Sequence, residues 1–464
     1  MRRVNNCKNF KDCSNIRGIA AGDFFFLIGL IGIAFSVYFP YLKYPIREIN
    51  LFYLSSLSSV LSLALKHNSA IRVRLVDLIF VAILFTSIAG LAYSSNFSVG
   101  IQYLMTLTIM WLIHIIVRSS DRYLSWLLYC LVVCSVVNAV SLLLEKINPN
   151  FFFRIASLIM KQEAITAAFV ALQKRAYAGI GGYTNVSSYL VSIVFALAFI
   201  AFLGAMQSRK EHKRLLALFL YGSLLVVSLY AIIISNKRGI LLATLVAAFT
   251  CYLFFVHNHK RVLIRSLLIV ALMIIVCWVV LRYNEFAQNL WHRFFSNEGD
   301  FTSSRFQIYQ DTINNWQNWV AFGNGTGSAF DKANVLGVGG GVHNIYIQIF
   351  YDHGMLGEFL YLIWFAINFN TTIYSINCSK YDFWNYASMA VQIIFLIYGF
   401  VGNPIYEYYE LFPYMVFSAI PYLYLRKRCV DENWNFDLPS RNQLWCTFSN
   451  NIPLSYDQNI RRKC

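Results

Sequence analysis

Residues 343–357 read HNIYIQIFYDHGMLG. The stretch opens on two polar residues, His343 and Asn344, runs through nine mostly apolar ones, and closes on Gly354-Met355-Leu356-Gly357. A glycine-rich run (Gly337, Gly339, Gly340, Gly341) precedes it, and an apolar segment at about 355–375 follows directly. If that segment crosses a bilayer, a titratable imidazole stands where irregular chain meets membrane.

Composition decides that it does. The chain has 464 residues, of which 58% are hydrophobic, 17% aromatic and only 13% charged, with a mean hydropathy of +0.54. A soluble chain of this length carries about a quarter charged residues and has no core large enough for so much apolar surface. The formal net charge of +16 does not point to nucleic acid, because the Lys and Arg residues recur in short loops between apolar segments instead of forming one patch.

Apolar segments near the roughly 20 residues that span a bilayer fall at about 24–41, 46–65, 75–93, 99–117, 122–144, 186–206, 214–234, 239–256, 262–281, 355–375, 383–402 and 409–425. The expected fold is all-α: one integral membrane domain over 1–464 with about 12 transmembrane helices. No cleavable signal peptide is expected, since a long basic lead (Arg2, Arg3, Lys8, Lys11, Arg17) precedes the first apolar run. Basic residues at the N-terminus, Lys66/Arg72/Arg74, Arg118/Arg122, Arg209/Lys210/Lys213/Arg214, Lys260/Arg261/Arg265, Lys380 and Arg426/Lys427/Arg428 all fall on one face. The positive-inside rule makes that face cytoplasmic, with both termini inside and 426–464 a cytoplasmic tail. None of the ten cysteines falls in an outside loop, so no disulfide framework is expected.

Two extracytoplasmic loops are long, 145–185 and 282–354. Within the first, 150–175 is apolar but interrupted by Arg154, Lys161, Gln162 and Glu163. Counting it as a span would put every later basic loop outside, so an amphipathic helix lying on the outer surface is expected there. The second is expected to hold a short helix at roughly 304–320, started by Ser303 or Ser304.

Several outer residues carry candidate chemistry. Arg238, in the turn Ser235-Asn236-Lys237-Arg238-Gly239, is basic on the face that disfavours basic residues. Two readings are open: its side chain reaches to lipid headgroups, or its planar guanidinium binds a phosphate or diphosphate in bidentate fashion. Arg305 leads the expected 304–320 helix, where backbone amides and guanidinium together suit an anion; the alternative is an exposed solubilising charge. Arg175, before Gly179 and Asn185, is either interfacial or faces the same anion. Gly323-Asn-Gly-Thr-Gly327 resembles a phosphate cradle only loosely, and tight turning explains it as well.

His343, with an ordinary pKa of about 6.5, suits a general base or a helix start. Asp352-His353 and Glu358 are further titratable candidates, and His114, mid-span, suits a hydrogen bond between helices. Neither a Walker A sequence nor zinc-type Cys/His spacing is present, so no nucleotide, cofactor or metal is expected.

His343-Asn344, nine residues, then Gly354-x-x-Gly357 resembles the most specific motif of the bacterial O-antigen ligase and polymerase family. The Ser-Asn-Lys-Arg238-Gly turn is similar to that family's Ser-Arg-Gly turn, with Asn-Lys interposed. Ser304-Arg305-Phe306 through Trp319 and Phe322-Gly323-x-Gly325 resembles its Arg-led helix ending in Gly-x-Gly, and Gly179 to Asn185 its Gly-and-Asn stretch. The resemblance covers roughly 175–375; the first five spans match only in being spans.

That resemblance implies glycan transfer from undecaprenyl diphosphate on the outer face of the cytoplasmic (inner) membrane, without nucleotide or metal. Arg238 and Arg305 would then bind the diphosphate with help from Arg175 and Asn344, and His343 would act at the acceptor hydroxyl. A polymerase of lipid-linked O-antigen or capsule repeats is expected first, with a chain-length regulator protein as a possible partner. The alternative is a ligase that hands the glycan to lipid A core of lipopolysaccharide or another acceptor. A transporter or flippase would show internal repeats and broken, polar spans, which the sequence does not.

Overall fold

In lipid, an unpaired backbone amide costs several kcal/mol, so a chain of apolar runs satisfies itself as helices. The structure is a computed structural model and describes residues 21–43, 73–119, 124–207, 211–258, 282, 305–314, 321–330, 342–378 and 382–431. Among these, the chain is helical and holds no strand; one isolated bridge pairs Leu42 with Met160. The helices are α1 (Ala21–Tyr38), α2 (Leu75–Leu91), α3 (Phe97–Ser119), α4 (Leu124–Ile147), α5 (Pro149–Ile159), α6 (Gln162–Gln173), α7 (Thr184–Gln207), α8 (Glu211–Ile234), α9 (Arg238–Asn258), α10 (Arg305–Asn314), α11 (Ile345–Cys378), α12 (Phe383–Tyr398) and α13 (Tyr408–Asp431).

Ten of the twelve expected spans fall on these helices, while 46–65 and 262–281 lie outside the described residues. Fewer meet the demands of a crossing than expected. Among the described residues, six are long and apolar enough (in α3, α4, α7, α8, α9 and α11), and α2 and α12 are shorter apolar helices. The last helix falls short for a chemical reason: α13 is rich in Tyr and carries Glu410, Pro413 and Pro421. The expected surface helix at 150–175 is two helices, α5 and α6, broken at Met160. There the backbone turns extended and pairs with the corner after α1, Lys43 N–H to Ile159 O (2.7 Å) and Lys161 N–H to Tyr41 O (2.8 Å). Asn148 starts α5 by accepting the Phe151 N–H, with Pro149 in the first turn.

The helix α7 runs through the middle of the bundle with 72% of its apolar window buried, whereas α8 buries only 22% of its own and turns Phe219, Val226 and Leu215 outward. Lipid in place of water makes such exposure stable, and it leaves polar contacts to hold helix to helix. Pro421 has no N–H, which frees the Phe417 carbonyl four residues earlier, and the Ser388 hydroxyl of α12 donates to that carbonyl at 2.7 Å. Gln392 of α12 reaches Thr372 of α11 at 2.7 Å, and the Tyr422 hydroxyl of α13 reaches Asn368 at 3.2 Å. Buried Arg118 of α3 pairs with Asp77 of α2 at 2.6 Å. His114 does not make the expected hydrogen bond through Nε2; its ring packs edge-on against Tyr422, 5.8 Å between centroids.

Candidate functional site

The quoted stretch is two helices in one. Residues 345–353 form a short helix, Gly354 breaks it at φ 66° and ψ −168°, and the chain continues helically into the membrane. Asn344 starts the short helix: its Oδ1 accepts the N–H groups of Tyr346 (3.0 Å) and Ile347 (3.2 Å), while the Ile345 N–H donates to Gly399 O (2.8 Å). That oxygen of Asn344 is thereby committed to the backbone. His343 precedes it in the left-handed region, φ 57°, a conformation uncommon for a residue with a Cβ.

At the far end of the short helix, the run Gly323–Gly327 caps its carbonyls. Asn324 N–H donates to Tyr351 O (2.8 Å) and Gly325 N–H to Asp352 O (3.0 Å). Thr326 N–H goes to Gly90 O and Gly327 N–H to the Asp352 carboxylate. With the amides of residues 324–327 spent inside the protein, the run is a tight structural turn and no phosphate cradle. Contact is close enough that a Cβ on Gly354 would stand 2.4 Å from Ala321 O, and one on Gly323 2.4 Å from the Asp352 carbonyl.

Asp352, fully buried, ties three parts of the chain. Its carboxylate accepts from Gly327 N–H (3.2 Å), Ala329 N–H (2.9 Å) and the Tyr406 hydroxyl (2.8 Å). Tyr406 stacks on Tyr103 at 4.3 Å, and the Tyr103 and Tyr361 hydroxyls meet at 2.5 Å. His353 is buried between the Tyr103 and Tyr361 rings, and neither of its nitrogens makes a hydrogen bond. This inner network is a brace beside the segments that carry the candidate residues.

Those residues gather on the corner Gly399–Val401 between α12 and α13. The first turn of α11 binds Gly399, as described. Tyr309, one turn after Arg305 in α10, donates its hydroxyl to His343 O (2.9 Å) and Phe400 O (3.2 Å). Next to Arg238, Gly239 at the start of α9 packs so tightly on Val401 that a Cβ there would come within 2.3 Å of its side chain. The starts of α9, which carries Arg238, and of α11, which follows His343, thus meet at one corner, and α10, which begins at Arg305, reaches it through Tyr309; for Arg305 the backbone position is described. Arg175 is exposed at the end of α6, and its segment joins the same end of the bundle through Tyr177 N–H to Ile234 O (3.2 Å), immediately before the Arg238 turn. Arg175, Asn236 and His343 are the described non-glycine residues with positive φ (54°, 60° and 57°). Each lies in or beside a turn at this end of the bundle.

Sequence reading passed over the corner itself and the run Tyr406-Glu407-Tyr408-Tyr409-Glu410 that follows it. The signal was present: two carboxylates and three tyrosines after Gly402-Asn403-Pro404 are out of place in a purely lipid-facing segment. Tyr309 was readable only as the residue one turn beyond Arg305. The run Gly337–Gly341, residues 315–320 and the tail 432–464 lie outside the described residues.

Residues 223–362 match a family model described as O-antigen ligase, which takes in α9, α10, the Gly323–Gly327 turn and the short helix of α11. No curated protein matches the chain.

Proposed function

We propose, from the match of residues 223–362 to a family model described as O-antigen ligase, that the chain is a glycosyl-transferring membrane protein that polymerises lipid-linked polysaccharide repeats. The donor is a glycan on undecaprenyl diphosphate, the acceptor a sugar hydroxyl of another lipid-linked repeat, and the setting the outer face of the cytoplasmic membrane. The reading is carried by one observation: the starts of α9 and α11 meet at Gly399–Val401, and α10 reaches the same corner through Tyr309. Helix N-termini favour anions, so the start of α9 supports a diphosphate beside the Arg238 guanidinium, while the first amides of α11 are held by Asn344 and Gly399.

The reaction is an inverting displacement. The acceptor oxygen forms a bond to the anomeric carbon as the bond from that carbon to the diphosphate oxygen breaks, and the leaving group departs with the electron pair. Negative charge grows on the diphosphate, where Arg238 and Arg305 bind it more strongly in the transition state than in the ground state. Neutral His343 takes the hydroxyl proton. Asn344 serves by holding the helix start and so the His343 backbone, and Arg175 assists at the glycan or headgroup side.

The description of the matched family favours a second reading, a ligase that delivers the glycan to lipid A core or another acceptor through the same donor chemistry. One experiment decides: delete the gene, complement with wild type, Arg238→Ala, Arg305→Ala or His343→Ala, and resolve the surface glycan by length. A lost polymerase leaves single repeats on the final acceptor, and a lost ligase leaves long chains on the lipid carrier. Normal long chains from variants made at normal levels would overturn the assignment of these residues.

A further inference from the structure

Beside Lys237, the residue before Arg238, tyrosines and glutamates from separate segments meet. Tyr41, in the corner after α1, packs its ring on that of Tyr183 at 4.7 Å and 50°. Tyr183, before α7, is 39% exposed, so one ring is open while its neighbour backs it. Tyr409 interacts through its hydroxyl with both Tyr41 and Glu407, and Lys237, adjacent to Arg238, engages Glu410 electrostatically.

The platform is held from below. Lys161 N–H fixes the Tyr41 carbonyl, Gly182 packs against the Tyr41 ring and Ala164, and the Glu145 carboxylate accepts the N–H groups of Ala178 (2.8 Å) and Gly179 (2.7 Å). A tyrosine ring offers an apolar face with a polar tip, and a carboxylate offers paired acceptors. Lipid tails need neither. The C–H face and vicinal hydroxyls of a pyranose match both, and a site of this kind, rigid and aromatic with a few convergent polar groups, is how small ligands are held.

We propose that Tyr41, Tyr183, Glu407 and Tyr409 form a glycan subsite, in which a pyranose of the lipid-linked oligosaccharide lies on the Tyr183 ring and hydrogen-bonds to Glu407. It rests on the glycosyl-transfer reading above and extends it: Arg238 holds the diphosphate, and the sugars run from there toward α1 and α6. The two long-separated outer segments, 39–43 and 175–183, then select the repeat unit.

The test uses the full chain in detergent micelles and the oligosaccharide released by mild acid from lipid-linked material that accumulates in the deletion host. Saturation-transfer NMR is expected to show pyranose ring protons in contact with the wild type, most of that signal lost in Tyr183→Ala and Glu407→Gln, and the signal kept in Tyr183→Trp and in the lipid-facing control Tyr129→Ala. With the intact lipid-linked oligosaccharide, the first two variants should raise KM about tenfold and leave kcat nearly unchanged. No contact in the wild type, or contact and KM indifferent to both substitutions, would overturn the subsite. If instead the wild type itself does not extend the lipid-linked oligosaccharide, the glycosyl-transfer reading fails while the NMR result still decides whether sugar binds here.

Discussion

The Asp352 carboxylate accepts a 2.8 Å hydrogen bond from the Tyr406 hydroxyl, joining the short helix behind His343 to the loop that follows the Gly399–Val401 corner. The same carboxylate holds Gly327 and Ala329. One side chain therefore sets the spacing between the turn 323–327, the helix 345–353 and the corner. Asp352→Ala strands two buried amides and a hydroxyl, so a loss of at least about 3 kcal/mol is expected, against about 1 kcal/mol for Tyr406→Phe. Thermal exposure of the buried thiols of Cys134 and Cys251 to a maleimide dye in detergent would rank the two; equal midpoints would deny Asp352 its bracing role.

Gly354 and Gly222 make a matched pair. At Gly354 a methyl group meets both a positive φ and the Ala321 carbonyl at 2.4 Å, whereas at Gly222, inside α8, its nearest neighbour is Phe202 at 3.6 Å. Gly354→Ala should destabilise by about 2 kcal/mol or more, and Gly222→Ala should stabilise by roughly 0.5–1 kcal/mol. Unfolding midpoints and yields of the two variants measure this directly.

Substitutions at His343 separate backbone from chemistry. Asn tolerates the left-handed region and Val does not. His343→Asn should match the wild-type melting temperature and lose on the order of a hundredfold in chain growth, while His343→Val should lose both. Chain growth by His343→Asn at the wild-type rate would remove the imidazole from the mechanism.

Burial pushes the Glu407 carboxyl up from 4.5 to about 7, with the Tyr409 hydroxyl beside it acting in the opposite direction. Below the unfolded value the group is protonated in both states. As pH rises through 7 the folded chain must ionise a buried acid, so stability present at low pH is lost. Relative to Glu407→Gln, the wild type should therefore be destabilised between pH 5 and 8, by at most about 3 kcal/mol. Parallel melting curves for the two proteins would show no divergence if the carboxyl titrates as an exposed group.

Helices and their order follow from local facts: the length of each apolar run, Asn148 before Pro149, Asn344 before Ile345, and the basic loops between. The candidates Arg238, Arg305 and His343 were equally local, since each stands at the polar start of an apolar or helical run. Local rules do not reach the corner Gly399–Val401, where residues far apart in sequence meet, because its contacts are backbone carbonyls, which carry no residue signature, and the packing of Gly239 on Val401. The same holds for Asp352, whose partners lie 23 and 54 residues away, and for Tyr41 against Tyr183.

By itself, then, the sequence determined that the chain lives in a membrane as helices, since hydropathy and charge act through the solvent each residue prefers and need no partner. Only the tertiary structure decided that the amides of residues 324–327 are spent on helix carbonyls and the Asp352 carboxylate, and that the starts of α9 and α11 share one corner with Tyr309 of α10. Those outcomes depend on which donor meets which acceptor across the bundle, and that is set by packing.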